Sequence, residues 1–175
     1  MKSFFSLLAA FSVLVGCSLF NGQIDPLTLR REDNVTNALR LDGCFYSADS
    51  LTDLGHVQIF YRNGILIETG LPLALVDSVR QAGIVARKYF VTQTPQLHWG
   101  LYQIRGDSIL IDQWYAAGGD YKTKITYGKI TSDSTFELTN LIWSGPADTT
   151  SYIEKFYYMP LKMKPDSTNQ YIPSN

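Results

Sequence analysis

No long run of Lys or Arg occurs in the 175 residues, and 15 basic groups stand against 16 acidic ones. The electrostatic footprint of a nucleic-acid binder is therefore missing. Histidine is scarce. His56 and His98 have no Cys, Asp or Glu at metal-ligand spacing, which argues against a zinc site. There is no Gly-x-Ser-x-Gly elbow and no Gly-rich phosphate loop. Gly118-Gly119-Asp120 reads as a turn, because no Lys-Ser/Thr follows it. Glu68, Asp107 and Asp112 read as turn and solvent-face residues. No catalytic residue, metal, cofactor or enzymatic activity is assigned on these grounds. Cysteine is limited to Cys17 and Cys44, so no disulfide framework is expected, and Cys44 reads as a small buried apolar residue.

What the chain does carry begins at its first residues. Lys2 supplies a positive start, and Phe4 to Val15 form an apolar run of about a dozen residues, too short to span hydrocarbon comfortably as a helix. Residues 1–16 therefore read as a signal peptide. Leu14-Val15-Gly16-Cys17 resembles the lipobox of bacterial lipoproteins. That resemblance implies cleavage before Cys17 and acyl chains on its sulfur and new amine. Two or three chains hold a protein stably on a membrane, where one does so only marginally. Ser18 in place of an Asp then implies the outer membrane, and the lack of an acidic run implies a periplasm-facing position in the cell envelope.

Residues 17–40 have no strand pattern and read as the lipidated N-terminus and a solvated tether, with a charged cluster Arg30-Arg31-Glu32-Asp33. From Gly43 the period changes to two. Val57, Ile59 and Tyr61 alternate with Gln58, Phe60 and Arg62, and Asn63-Gly64 separates this run from Ile65–Glu68. Asn-Gly between alternating runs marks a hairpin, since both residues tolerate positive φ. Residues 72–88 repeat apolar side chains every three to four positions and predict one helix. Strands follow near Tyr89–Thr92, His98–Arg105, Ser108–Tyr115, Lys122–Thr131, Ser134–Trp143 and Tyr152–Met159. The fold expected is mainly β: an antiparallel meander of about eight or nine strands, closed as a barrel or packed as a sandwich, with one short helix. Residues 41–165 form this domain and 166–175 a flexible tail.

Of the 11 Tyr, 9 Phe and 3 Trp, all the Trp and most of the Tyr lie in or beside the later strands. Trp99, Tyr102, Trp114 and Tyr127 are the candidate ligand-binding residues. Trp114 shares a strand face with Leu110, while Ile109, Ile111 and Tyr115 point the other way. Asp-Ser or Asp-Thr pairs, as at Asp107-Ser108 and Asp133-Ser134, resemble an O-glycosylation signal of exported Bacteroidota proteins, and also suit turns. The mature part resembles a Bacteroidota-type lipoprotein with a lipocalin-like or related β-meander domain. Gly43-Cys44-Phe45 stands where lipocalins carry Gly-x-Trp, and no helix is expected after the last strand. Two functions are expected from this architecture. One is a non-catalytic binding module for a small apolar or glycan ligand, with an aromatic-lined cavity of roughly 300 Å³ or more. The other is an envelope structural protein that docks on a partner through a strand edge or aromatic patch.

Overall fold

The computed structural model describes residues 22–49, 54–72, 74–76, 96–145, 148–162 and 164–173. Eight strands follow in chain order: β1 (Gly43–Asp49), β2 (Leu54–Phe60), β3 (Ile65–Pro72), β4 (Trp99–Arg105), β5 (Ser108–Ala117), β6 (Asp120–Ser132), β7 (Thr135–Trp143) and β8 (Thr149–Pro160). Each pairs antiparallel with the next, and β1 pairs with β8, so the meander is a closed barrel. That closure decides between the two architectures the period-two pattern allowed. It depends on Gly43. A Cβ there would stand 2.3 Å from the Met159 carbonyl oxygen and 2.6 Å from the Tyr158 ring. Residues 74–76 are helical. Pro72, expected to start the helix, instead ends β3, where it pairs with Leu54; residues 73 and 77–88 of the expected helix, and the expected strand near Tyr89–Thr92, lie outside the described residues. Among the described residues no helix is long and apolar enough to cross a membrane.

One end of the barrel is built from short turns. Gly64 (φ 77°) closes the β2–β3 turn and Gly106 (φ 62°) the β4–β5 turn. Both φ values lie where an L side chain is disfavoured, which accounts for Asn63-Gly64 and Gly106-Asp107 at these corners. The other end holds the connections β1–β2, β3–β4, β5–β6 and β7–β8.

Both faces of the sheet bury apolar side chains, for different reasons. Phe45, Phe60, Leu66, Tyr102, Ile109, Ile130, Phe136 and Phe156 form one cluster to which every strand contributes. Rings in it meet across strands that are not neighbours: Phe45 and Phe136 at 5.2 Å, Phe60 and Phe136 at 5.7 Å. Such contacts exist only inside the barrel. Val57, Ile59, Ile65, Ile67, Trp99, Leu101 and Trp114 point the opposite way and are also buried. What covers them is the chain's own ends, with Leu27 and Leu29 on one side and Leu161 and Ile172 on the other.

Residues 22–40, the described part of the segment 17–40 expected to be a solvated tether, are therefore a strap. Ile24 pairs in parallel with Tyr121. Thr28 and Leu29 donate their backbone N–H groups to Asp112 Oδ2 at 2.5 and 2.8 Å. Gln103 Nε2 donates to the Arg30 carbonyl at 2.9 Å. Asn34 N donates to the Arg62 carbonyl and Arg40 N to the Asp133 carbonyl, at the turn end. The strap thus runs the length of the wall before it enters β1. Backbone groups without a ladder must find other partners, and here the barrel supplies them. Residues 166–173, the described part of the expected flexible tail 166–175, also fold back on the wall: Ile172 is buried among the outer apolar residues, and Asn169 Oδ1 accepts from the Tyr171 and Ile172 backbone.

Candidate binding site in the polar half of the barrel

Strand alternation carries the interior face from the phenyl cluster toward the end opposite the turns. Paired residues share a face, so Gln58 and Glu68 stand beside Phe45 on the inside. Gln113 pairs with Lys124, and Ile111 with Thr126, on the same inner face. From β8, Tyr152 and Glu154 alternate with the solvent-facing Ile153. The interior therefore changes character along its axis, aromatic at the turn end and polar at the other.

The polar half is held by a few direct bonds. His56 Nδ1 donates to Glu154 Oε1 at 2.7 Å. That carboxylate raises the His56 pKa, against the lowering effect of burial, with Glu68 adding and Lys124 opposing. Gln58 Nε2 donates to Glu68 Oε2 at 2.5 Å. Burial raises the Tyr152 pKa, and Glu154 and Glu68 add to it, while a bond with Thr126 acts the other way. Gln58 is only 1% exposed and its Oε1 has no hydrogen-bond partner. A buried acceptor left open forgoes about 1–3 kcal/mol of solvation. At the rim, Tyr115 and Trp143 close edge to face at 4.5 Å. The half thus combines two carboxylates, an ammonium, an imidazole, a phenol and two amides, and one of its acceptors, Gln58 Oε1, is left without a partner.

The four aromatic candidates are not brought together here. Tyr102 is inside, but in the filled turn end. Its hydroxyl donates to the Tyr61 carbonyl at 2.7 Å and accepts from Asn34 Nδ2 at 3.2 Å. Trp99 and Trp114 are buried on the outer wall under the strap and tail, and Trp114 Nε1 donates to the Asp25 carbonyl at 2.7 Å. Tyr127 is exposed on the outer face of β6. Of the three acidic residues read as solvent-facing, only Asp107 is exposed, paired with Lys129. Glu68 lines the interior, and Asp112 is fully buried beneath the strap. Cys44 is buried, with its thiol pushed up to about 12.

The polar residues His56, Gln58, Glu68, Gln113, Lys124, Thr126, Tyr152 and Glu154 were missed as a site. The signal existed in β2, where Gln58 alternates with Val57 and Ile59. Polar-apolar alternation alone assigns the polar face to solvent, and here that face is the inside.

Concavities also lie on the outside of the barrel. A groove of about 330 Å³ between strap and tail is lined by Leu27, Leu29, Leu101, Trp114, Tyr171 and Ile172, among others. A shallow one of about 540 Å³ at the turn end is edged by Arg40, Asp42, Arg62, Asp133 and Lys164. Among the described residues no three metal-ligating groups converge. Comparison of the chain with family models, with curated proteins and with solved structures returned no match.

Proposed function

We propose that this chain is an envelope lipoprotein of the outer membrane, acylated on Cys17, and that its barrel is a non-catalytic module binding a small hydroxyl-rich ligand of the glycan type. The unpartnered Gln58 Oε1 inside the polar half carries this reading, because a ligand hydroxyl is the donor it lacks. An amide bonded to a carboxylate and a Tyr–Trp pair at the rim are groups of the kind that recognise sugars through hydrogen bonds and ring faces. The apolar alternative has less room, since the aromatic half of the interior is occupied by its own rings. The test is calorimetric titration of the lipidated protein with envelope-derived oligosaccharides, beside the Gln58→Met variant. Met keeps the volume and removes the acceptor. Affinity is expected to fall about tenfold or more, the worth of one buried hydrogen bond. Equal affinity in both proteins, or no binding to either, sinks the reading.

Docking on a partner protein is the second reading. Its support is the outer face of β6, β7 and β8, where Tyr127, Ile142, Ile153 and Tyr157 are exposed beyond the reach of strap and tail. Native mass spectrometry of protein drawn from its own envelope separates the two readings. A bound small molecule favours the first, and a stable second polypeptide the second.

A further inference from the structure

We infer that the polar end of the barrel is held against the bilayer that carries the lipid anchor, so that this end faces the lipid headgroups. This inference rests on the acylation of Cys17 proposed above. Four residues separate Cys17 from Gly22. Five Cα steps reach at most about 18 Å even when fully extended.

Where Gly22 sits is then decisive. It lies against the β5–β6 turn: a Cβ on it would stand 2.2 Å from the Gly119 carbonyl oxygen. Gln23 N donates to Asp120 Oδ1 at 2.8 Å, and Tyr121 N donates to the Gln23 carbonyl at 2.8 Å. That turn belongs to the polar end. The β5–β6 hairpin also projects there, since its residues beyond Gln113 and before Lys124 continue past the last pairs with β4 and β7. The anchor is therefore tied to the polar rim at the β5–β6 hairpin. The turn end lies a full barrel length away. β5 alone has ten residues, about 33 Å of strand.

The rim has side chains suited to a headgroup layer. Ile24 is 52% exposed beside the hairpin tip, and Tyr115, Tyr121 and Trp143 are half-buried near it. Tyr and Trp favour the boundary between hydrocarbon and water because one end of each ring is apolar and the other polar. Lys122 and Lys124 stand among them, the first paired with Asp25 at 3.4 Å. A short anchor and an amphipathic rim at the same end give one orientation.

The test uses the full lipidated protein in phospholipid nanodiscs doped with nitroxide-headgroup lipid. A fluorophore is placed at the polar end by Ala116→Cys or at the turn end by Asp107→Cys, both exposed positions. Cys44 stays unlabelled because burial holds it as a thiol, and Cys17 is acylated. Quenching is expected to be several-fold stronger at residue 116 than at residue 107. Asp148→Cys, on the same rim, replaces Ala116→Cys if that variant does not fold. Equal quenching at both ends, or stronger quenching at residue 107, overturns the orientation while leaving acylation intact. Mass spectrometry of the N-terminal peptide distinguishes the other failure: an unmodified Cys17 overturns the lipoprotein reading and this inference with it.

Discussion

Lys164 shows how one side chain from the tail ties three parts of the molecule together. Its ammonium donates to the carbonyls of Leu41 and Phe60 and stands 4.3 Å from the Tyr61 ring centroid. The strap, the end of β2 and the tail meet at this point. Burial lowers its pKa from 10.5 to about 8. The sign of the linkage follows from that direction. Below about 8 the amine is charged in both folded and unfolded chains, and the burial penalty is fully present. Between about 8 and 10.5 the folded state gives up its proton first, so the stabilisation from this residue grows as pH rises. Urea midpoints of the wild type and Lys164→Met are expected to diverge in favour of the wild type from pH 7 to pH 10. A difference independent of pH over this window would contradict the burial argument.

Gln58 belongs to the same scale. Its residue type was plain in the sequence, yet its role was not, because an amide in a strand looks alike on either face.

Among the elements, the β2–β3 hairpin was the most legible. Asn63-Gly64 lies between two alternating runs, and Gly64 adopts φ 77°. The structure adds a constraint that no local rule contains. A Cβ at Gly64 would stand 2.3 Å from the Glu32 carbonyl oxygen, on the strap. Gly64→Ala thus meets two penalties, a left-handed backbone with a side chain and a collision with a segment far away in sequence. A loss of about 2 kcal/mol or more is expected, read as a fall of several degrees in the thermal midpoint. An unchanged midpoint would mean that the strap does not rest on this turn. The β6–β7 hairpin was legible in kind and displaced by one residue. The expected turn was Ser132-Asp133, whereas β6 runs to Ser132 and β7 starts at Thr135. Register shifts near Gly128, Ser132 and Asn140 accompany the displacement, and bulges of this sort leave no period-two signature.

For the whole molecule, the wall has two coverings, one inside and one outside. The outer covering is fastened at Asp112, whose Oδ2 accepts two strap N–H groups while its Oδ1 has no partner. Burial raises its pKa, and those two backbone bonds act against the rise. Asp112→Ala frees the middle of the strap without touching the interior. Hydrogen exchange at the Thr28 and Leu29 amides is expected to accelerate about tenfold or more, with the amides of β4 and β5 still protected. Unchanged exchange at Thr28 and Leu29 would show that the strap is held by its apolar contacts alone. The barrel therefore gains stability from segments that composition marks as linkers, because Leu27, Leu29 and Ile172 complete the outer apolar layer.

Strand identity and hairpin connectivity were determined by the sequence itself, since side-chain alternation and positive-φ turn residues act within a few positions of one another. Barrel closure, the inward turn of the polar stripe and the folding back of both termini were decided only by tertiary structure. Period two labels two faces without saying which one is enclosed. The enclosed face was chosen by the pairing of β1 with β8, and by apolar residues of the strap and tail that gave the outer face a cover.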